Sequence, residues 1–198
     1  MNVMDRDLEL QLVDRLRRCD AEAFDAVYDA FNTRLYNFLA RLSNSRDVAE
    51  DLLEETWLRL VSHAPRLRAD TNLGAWLFTV ARNLHVSYRR SRLLEDAGSA
   101  DAAGLWSMSA QPPSPLEVAE ANEMERRVAA ALALLPTTCR EALLLVAVEG
   151  LRPSEAAAIC DITPEAMRQR LSRARSLLDR RLSDTGPSLL NALEELTT

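Results

Sequence analysis

The chain has 198 residues, of which 47% are hydrophobic and five are glycine, which is typical of a helical globular protein with one ordinary domain or two small ones. All 24 basic residues are arginine, and with 30 acidic residues the formal net charge is −6. No apolar run approaches the length of about 18 residues that spans a bilayer, and the acidic start MNVMDRDLELQ is unlike a signal peptide. We therefore expect a cytoplasmic protein without membrane insertion.

The charge is distributed unevenly along the chain. Residues 61–92 hold six arginines and one aspartate, for a formal +5, and residues 151–182 hold seven arginines and four acids, for +3. Residues 93–125 hold seven acids and no base, for −7. Two basic segments on either side of an acidic one predict two separate contacts with nucleic acid.

The histidines and cysteines give no sign of catalysis or of metal binding. His63 and His85 have no ligand or nucleophile at helical spacing. Cys19, Cys139 and Cys160 are odd in number, far apart and without CxxC spacing, which favours reduced, mostly buried thiols over a disulfide framework or a zinc site. We therefore expect neither an enzyme nor a bound cofactor or metal.

The first part of the chain reads as packed helices. Apolar residues recur at steps of three and four from Ala21 to Leu42, and a second helical pattern follows a turn and runs from Arg46 to Ser62. The predicted inward stripe of this second helix is Val48, Leu52, Leu53, Thr56, Leu60 and Val61. Its other side, here called the acidic face, carries Asp47, Glu50, Asp51, Glu54 and Glu55. Carboxylates this close repel one another, so the acidic face is either simply solvated or a docking surface for a basic partner.

A basic loop, residues 63–72, leads into the next helix. The loop contains Arg66 and Arg68. The residues expected to face the core from the helix are Leu73, Trp76, Leu77, Val80, Ala81, Leu84 and Tyr88. Arg82, Asn83, Arg89 and Arg90 are expected on its other faces. Phe78 falls outside the apolar stripe, so we expect it, rather than Trp76, to stack on a base.

The middle of the chain predicts a linker followed by further helices. Residues 93–115 combine glycine, serine and proline with acids, a composition too poor in apolar residues to fold by itself. Helical periodicity resumes from Leu116 to Leu135. A helix capped by Thr137 or Thr138 is then expected to close at Gly150.

The last part of the chain predicts a helix-turn-helix. Pro153 to Cys160 reads as a short helix, Asp161-Ile162 as a turn, and Thr163-Pro164 as the start of a long arginine-rich helix. The buried side of the long helix is predicted to be Met167, Leu171, Ala174 and Leu178. The side chains expected to point outward are Arg168, Gln169, Ser172, Arg173 and Ser176. The alternative is a charged face that serves only solubility.

Three segments in this order resemble those of RNA polymerase sigma factors of the extracytoplasmic-function (ECF) subfamily. AEDLLEETWLRL (residues 49–60) resembles the region-two helix that docks on the clamp helices of the polymerase β′ subunit. GAWLFTVARNLHVSYRR (residues 74–90) resembles the helix that meets the opened minus-10 element. Residues 135–178 resemble region four, whose last helix reads the minus-35 element. The chain departs from the family pattern at Arg152, Pro153 and Cys160.

The resemblance implies an all-α protein with two small helical domains joined by a flexible acidic linker. Region two would cover residues 1–92, the linker residues 93–115, and region four with a C-terminal tail residues 116–198. The implied partners are core RNA polymerase, through the β′ clamp helices and the β flap, promoter DNA, and an anti-sigma factor. The implied function is to direct the polymerase to promoters by recognising the minus-35 duplex and opening the minus-10 strand.

The resemblance also assigns residues to each surface. The acidic face would bind core polymerase. The residues implied for the minus-10 strand are Arg66, Arg68, Asn72, Phe78, Arg82, Asn83, Arg89 and Arg90. Those implied for the minus-35 duplex are Arg168, Gln169, Arg170, Ser172, Arg173, Arg175 and Ser176, with Arg170 and Arg175 directed at phosphates. Two other hypotheses stay open: a decoy that binds an anti-sigma factor without engaging promoters, and a one-domain repressor or activator.

Overall fold

A computed structural model describes residues 6–98 and 123–183, and within these two ranges the chain is helical and contains no strand. The helices are α1 Arg6–Arg17, α2 Ala21–Ser43, α3 Arg46–His63, α4 Leu73–Gly98, α5 Glu123–Ala133, α6 Thr137–Leu143, α7 Pro153–Ile159 and α8 Pro164–Ser183. A 3₁₀ turn covers Ala64–Arg66, and α6 continues into a π-helical segment, Leu144–Val148. The all-α prediction is confirmed.

The described residues divide into two compact units. The first comprises residues 6–39 and 45–98, and the second comprises residues 123–183 with the last residues of α2 and the turn after it, 40–44. Helix α4 runs to Gly98, so residues 93–98 are helical although the sequence predicts a linker from residue 93. The rest of the predicted linker, the predicted helical residues 116–122 and the C-terminal tail from residue 184 lie outside the described residues.

The first unit is built around side chains from four helices. Helix α1, which the periodicity analysis did not predict, contributes Leu12, Val13 and Leu16 to the core. Other fully or almost fully buried residues of this unit are Val27, Phe31, Leu35, Phe38, Ala49, Trp57, Leu60, Leu73, Leu77, Phe78 and Ala81. None of the helices in the described ranges is both long enough and apolar enough to cross a membrane.

The predicted inward stripes of α3 and α4 are partly wrong. On α3, Ala49 and Trp57 are buried, whereas Val61 is 57% exposed. On α4 the buried residues are Leu73, Leu77, Phe78, Ala81 and His85. The predicted core residues Trp76, Val80, Leu84 and Tyr88 are half-buried. Both segments are therefore helical as predicted, but the side of each helix that faces the core differs from the predicted side.

In the second unit the turn between α5 and α6 is held by a buried arginine. The guanidinium of Arg140, 4% exposed, donates to the backbone carbonyls of Leu132 at 2.9 Å and Leu135 at 3.2 Å. The predicted cap by Thr137 or Thr138 is wrong, because α6 begins at Thr137 and its N-cap residue is Pro136, without a side-chain bond. Gly150 follows the π-helical segment with φ 67°, the left-handed conformation that closes helices, as predicted.

The helix-turn-helix forms where it is predicted, with α7 ending at Ile159 rather than at Cys160. The hydroxyl of Thr163 accepts a hydrogen bond from the amide of Ala166 at 3.2 Å and so caps α8. Asp161 lies in the turn with φ 53°. Although Arg152 and Pro153 depart from the family pattern, α7 still begins there, because the amide of Arg152 donates to the carboxylate of Glu155 at 2.8 Å. Helix α8 packs against α5, α6 and α7.

Candidate functional site

The acidic face of α3 lies on the surface of the first unit. The side chains of Asp47, Glu50, Asp51 and Glu54 are exposed, and that of Glu55 is half-buried. Glu55 accepts a hydrogen bond from Arg59, one turn later, at 2.7 Å. The carboxylates that the sequence singles out are therefore displayed together on one helix, as predicted.

An apolar groove beside the acidic face was not predicted. It has a volume of about 380 Å³ between α2 and α3. Its lining residues are Phe24, Tyr28, Asn32, Glu50, Leu53, Glu54, Trp57, Leu58 and Val61. Leu58 and Val61 are 56% and 57% exposed. Large apolar side chains at this exposure, bordered by carboxylates, mark a surface suited to another macromolecule.

Aromatic contacts hold the walls of this groove in place. The ring centroid of Trp57 lies 4.9 Å from that of Tyr28 and 5.8 Å from that of Phe24. The indole Nε1 of Trp57 donates to Oδ1 of Asn32 at 3.1 Å. The groove could have been suspected from the sequence, because Leu58 and Val61 lie three residues apart and follow the acidic face on the same helix.

The basic loop, residues 63–72, presents its arginines to solvent. The side chains of Arg66 and Arg68 are exposed. Arg68 forms a two-point ion pair with Asp70, with distances of 3.0 and 3.1 Å. The hydrogen bond from Arg68 lowers the pKa of the Asp70 carboxyl below its ordinary value. Any contact of Arg68 with a phosphate must therefore compete with Asp70.

The end of the basic loop is tied to the starts of two helices. Asn72 caps α4, since its Oδ1 accepts from the amide of Ala75 at 2.7 Å, which leaves its amide group available for a ligand. The amide of Leu73 donates to Oε1 of Glu9 in α1 at 2.7 Å. Arg6, also in α1, donates to the carbonyl of Asp70 at 2.8 Å. These two α1 residues, which lie 64 positions from their partners, were not predicted from the sequence.

The polar residues of α4 that the sequence assigns to the minus-10 strand share one stripe. Positions 82, 83, 89 and 90 recur at helical spacing, away from the buried side of α4. Asn83 and Arg90 are exposed, whereas Arg82 and Arg89 are half-buried. Arg82 donates to Oδ1 of Asn83 at 3.2 Å.

Phe78 does not belong to this stripe, and its predicted role in stacking on a base is wrong. Its side chain is 0% exposed and packs against Phe38. The guanidinium carbon of Arg34 lies 5.7 Å from the centroid of its ring. A base could reach this ring only if the core of the unit opened. Trp76, predicted to be buried, is half-buried instead and lies 6.2 Å from the exposed His63, ring to ring.

The outward face of α8 carries most of the side chains predicted for the minus-35 duplex. Those that are exposed are Arg168, Gln169, Ser172, Arg173, Arg175 and Ser176. Behind them Met167, Leu171, Ala174 and Leu178 are buried, as predicted. This face begins with an ion pair, in which Nε of Arg168 donates to Glu165 at 3.0 Å and lowers the pKa of that carboxyl.

Arg170 is turned away from the outward face of α8. It is half-buried, and its Nη1 lies 3.8 Å from Oε2 of Glu141, a residue of α6 that is 4% exposed. This pairing between α8 and α6 argues against the predicted phosphate contact of Arg170.

All three cysteines lie in the described ranges and form no disulfide; Cys139 and Cys160 are buried as predicted, while Cys19 is exposed. Within residues 6–98 and 123–183, the histidine, cysteine and acidic side chains form no group of three or more that could hold a metal ion.

Comparison with known proteins agrees with this geometry. The family model for Sigma-70 region 2 matches residues 27–93, and the model for Sigma-70, region 4 matches residues 125–178. ECF RNA polymerase sigma factor EcfG of Rhodopseudomonas palustris is 41% identical over 143 residues, which cover 71% of this chain and 75% of that protein. ECF RNA polymerase sigma factor SigM of Bacillus subtilis is 32% identical over 155 residues, covering 78% and 91%.

Solved structures of sigma factors are similar as well. The sigma factor RpoE in complex with the anti-sigma factor NepR from Bartonella quintana has a TM-score of 0.71 and 29% identity, covering 84% of this chain and 100% of that one. CnrH in complex with the cytosolic domain of CnrY shares the fold, with a TM-score of 0.66 at 22% identity, covering 90% and 99%. The chain belongs to the ECF RNA polymerase sigma factors, the proteins that bind core polymerase and direct it to promoters.

Proposed function

We propose that this sigma factor divides its work among three surfaces. The groove and acidic face of the first unit bind core polymerase, the basic loop with α4 holds the melted minus-10 strand, and α8 reads the minus-35 duplex. The observation that carries the proposal is the face of α8, where six polar or arginine side chains are exposed over a fully buried apolar stripe. A helix that serves only solubility would be expected to mix acids among these arginines, and residues 166–178 contain none.

Core polymerase is the proposed occupant of the groove between α2 and α3. An exposed apolar groove with fixed aromatic walls suits an amphipathic helix of a partner. Glu50 and Glu54 line the groove, so the helix that fits it best carries basic residues beside its apolar ones. The clamp helices of the β′ subunit are the proposed partner. Partner binding also accounts for carboxylates that repel one another in the free protein.

The basic loop and α4 are proposed to act on a single strand. Proteins hold single strands through cationic surfaces that follow the backbone, and they capture an extruded base through polar groups that reach its edge. Arg66 and Arg90 supply exposed charge, while Asn83 and the free amide of Asn72 supply polar contacts. Phe78 is excluded from this surface because it is buried.

Helix α8 is proposed to lie in the major groove. Arginine pairs bidentately with guanine and glutamine with adenine, so Arg168, Gln169 and Arg173 are assigned to base edges. Arg175 is assigned to a phosphate, which positions the helix without reading sequence. Arg170 is left out because it pairs internally with Glu141.

Three further features complete the proposal. An anti-sigma factor is a proposed regulator, which the similarity to the RpoE–NepR complex supports. The protein works in the cytoplasm, where it meets polymerase. It supplies specificity and carries out no reaction of its own, since polymerase performs the chemistry.

Run-off transcription tests the proposal directly. Core polymerase, the full chain and promoter-enriched genomic fragments should yield discrete transcripts, and Arg173→Ala should remove them while core binding persists. A chain that binds core polymerase or an anti-sigma factor but never yields transcripts would be the decoy. Tight, sequence-specific duplex binding by the chain alone at physiological salt would indicate a repressor or activator, because the net charge of −6 opposes approach to phosphates.

A further inference from the structure

Glu9 is a buried carboxylate that lies outside all three proposed surfaces. Its residue exposure is 7%. Oε1 accepts from the amide of Leu73 at 2.7 Å, and Oε2 accepts from Nη1 of Arg6 at 2.5 Å. Burying a carboxylate is costly unless its oxygens are hydrogen-bonded. Both oxygens of Glu9 are hydrogen-bonded, one to the start of α4 and the other to Arg6 of its own helix, and these bonds compensate for the burial.

The place that Glu9 engages is the beginning of α4. The first amides of a helix have no acceptor within the helix, and a negative charge is favourable beside them. Two side chains satisfy them here: Glu9 accepts from Leu73, and Asn72 accepts from Ala75. Glu9 is the more informative of the two, because it reaches α4 from another helix 64 positions earlier in the chain.

Arg6 ties the same region from the loop side. Its Nη2 donates to the carbonyl of Asp70 at 2.8 Å, and its Nη1 lies 3.3 Å from the carbonyl of Thr71. Residues 70, 71 and 73 are therefore all held by α1, and Asp70 in turn pairs with Arg68. The residues between the basic loop and α4 are therefore hydrogen-bonded to Arg6 and Glu9 of α1, which form an ion pair with each other.

We infer that Arg6 and Glu9 are positioning residues for promoter opening. They hold the basic loop and the start of α4 in the orientation that receives the melted strand, and neither touches the strand. The inference rests on the proposed role of the loop and α4 at the minus-10 element. Its physical basis is that a loop ordered in advance loses less conformational entropy when it captures a single strand.

The first test measures amide hydrogen exchange in the free protein. The amide of Leu73 should exchange its hydrogen faster in Glu9→Ala than in the parent chain, because it loses its acceptor. The matched control is Arg15→Ala, which removes ion pairs from α1 to Asp20 at 2.7 Å and Glu22 at 3.1 Å without touching the loop. Exchange at Leu73 should be unchanged in that control. Equal exchange in Glu9→Ala and the parent overturns the positioning contact.

The second test measures open-complex formation by the holoenzyme. Glu9→Ala should reduce open-complex formation roughly three- to tenfold, the loss expected for one hydrogen bond of typical net strength, while recruitment to closed promoter is unchanged. Glu9→Gln retains an acceptor for Leu73 but loses the charge that Arg6 pairs with. Open-complex formation by Glu9→Gln should therefore lie between that of the parent and that of Glu9→Ala. Its thermal unfolding midpoint should be close to that of the parent.

A double variant separates positioning from loss of stability. If Glu9 acts through the loop, Glu9→Ala should add little to the defect of Arg66→Ala, whereas a general loss of folded protein would multiply the two defects. Multiplied defects, or normal opening by Glu9→Ala when Arg66→Ala and Asn83→Ala are impaired, would falsify the inference. If Arg66→Ala and Asn83→Ala open promoters normally, the proposed role of the loop itself is wrong and the inference falls with it.

Discussion

The rings of Phe38 and Phe78 meet edge to face, with centroids 5.3 Å apart and planes at 89°. Both side chains are essentially fully buried, at 1% and 0% exposure. This contact joins α2 to α4 and sets which side of α4 faces the core. It also explains why the polar stripe through Asn83 and Arg90 faces outward.

Phe78→Ala should therefore act on stability. Removing a buried phenylalanine should lower the free energy of unfolding by about 3–5 kcal/mol, because a cavity remains beside Phe38. Phe78→Leu should cost less, since it refills most of that volume. Chemical denaturation followed by circular dichroism measures both. A Phe78→Ala chain with unchanged stability and impaired minus-10 binding would restore the stacking role that the sequence suggests.

Charge reversal on the acidic face should weaken binding to core polymerase. Asp51→Lys and Glu54→Lys place a positive charge where a basic partner is proposed, so the affinity should fall several-fold at low salt and less at high salt. Titration of labelled chain with core polymerase measures the effect. The matched control is Glu22→Lys, at a side chain that is 90% exposed and lies two residues before Phe24 on α2. Equal affinities for all three variants contradict the proposed surface.

The two DNA-binding surfaces should respond differently to promoter melting. Arg173→Ala and Arg168→Ala should each lose roughly 1–3 kcal/mol of base discrimination at the minus-35 element if the contact is bidentate. Asn83→Ala and Arg66→Ala should impair opening more than recruitment. On a template already melted across the minus-10 element, Asn83→Ala and Arg66→Ala should partly recover open-complex formation. Arg173→Ala and Arg168→Ala should not recover it. Equal rescue of both pairs shows that the division of labour is wrong.

The start of α7 should make stability depend on acid pH. Arg152 donates to Glu155 at 2.6 Å, and this hydrogen bond holds the pKa of the Glu155 carboxyl below its ordinary value of 4.5. A depressed folded-state pKa means that the stabilisation is complete above pH 4.5 and is lost as the pH falls through the lower value. The stabilisation of the folded state by this pair is small because the pair lies largely at the surface.

Glu155→Gln should accordingly unfold at a lower temperature than the parent at pH 7, and the difference should shrink below pH 4.5. Asp179→Asn, at an exposed position of α8, is the control for a general change in charge. Thermal unfolding of the full chain at several pH values measures both variants. A difference that is constant between pH 7 and pH 3.5 would exclude the ion pair as its cause.

The sequence by itself determined the helix-turn-helix almost completely. Pro153 at the first turn of α7, the turn at Asp161 and the cap at Thr163 all lie within a few residues of the structure they specify. Because capping and turn formation are local, such signals are readable without knowledge of the rest of the fold. The repeat of buried residues in α8 is equally local, and it placed Arg168 and Arg173 on the exposed side correctly.

Only the tertiary structure decided which features face outward in the first unit. Periodicity shows that a helix has an apolar side, but the neighbouring helices set the rotation that buries Phe78 and exposes Val61. The groove requires the alignment of α2 with α3, and the hydrogen bond from Leu73 to Glu9 joins residues 64 positions apart. Contacts at such separation depend on how whole helices pack, and packing is a property of the assembled core rather than of any one segment.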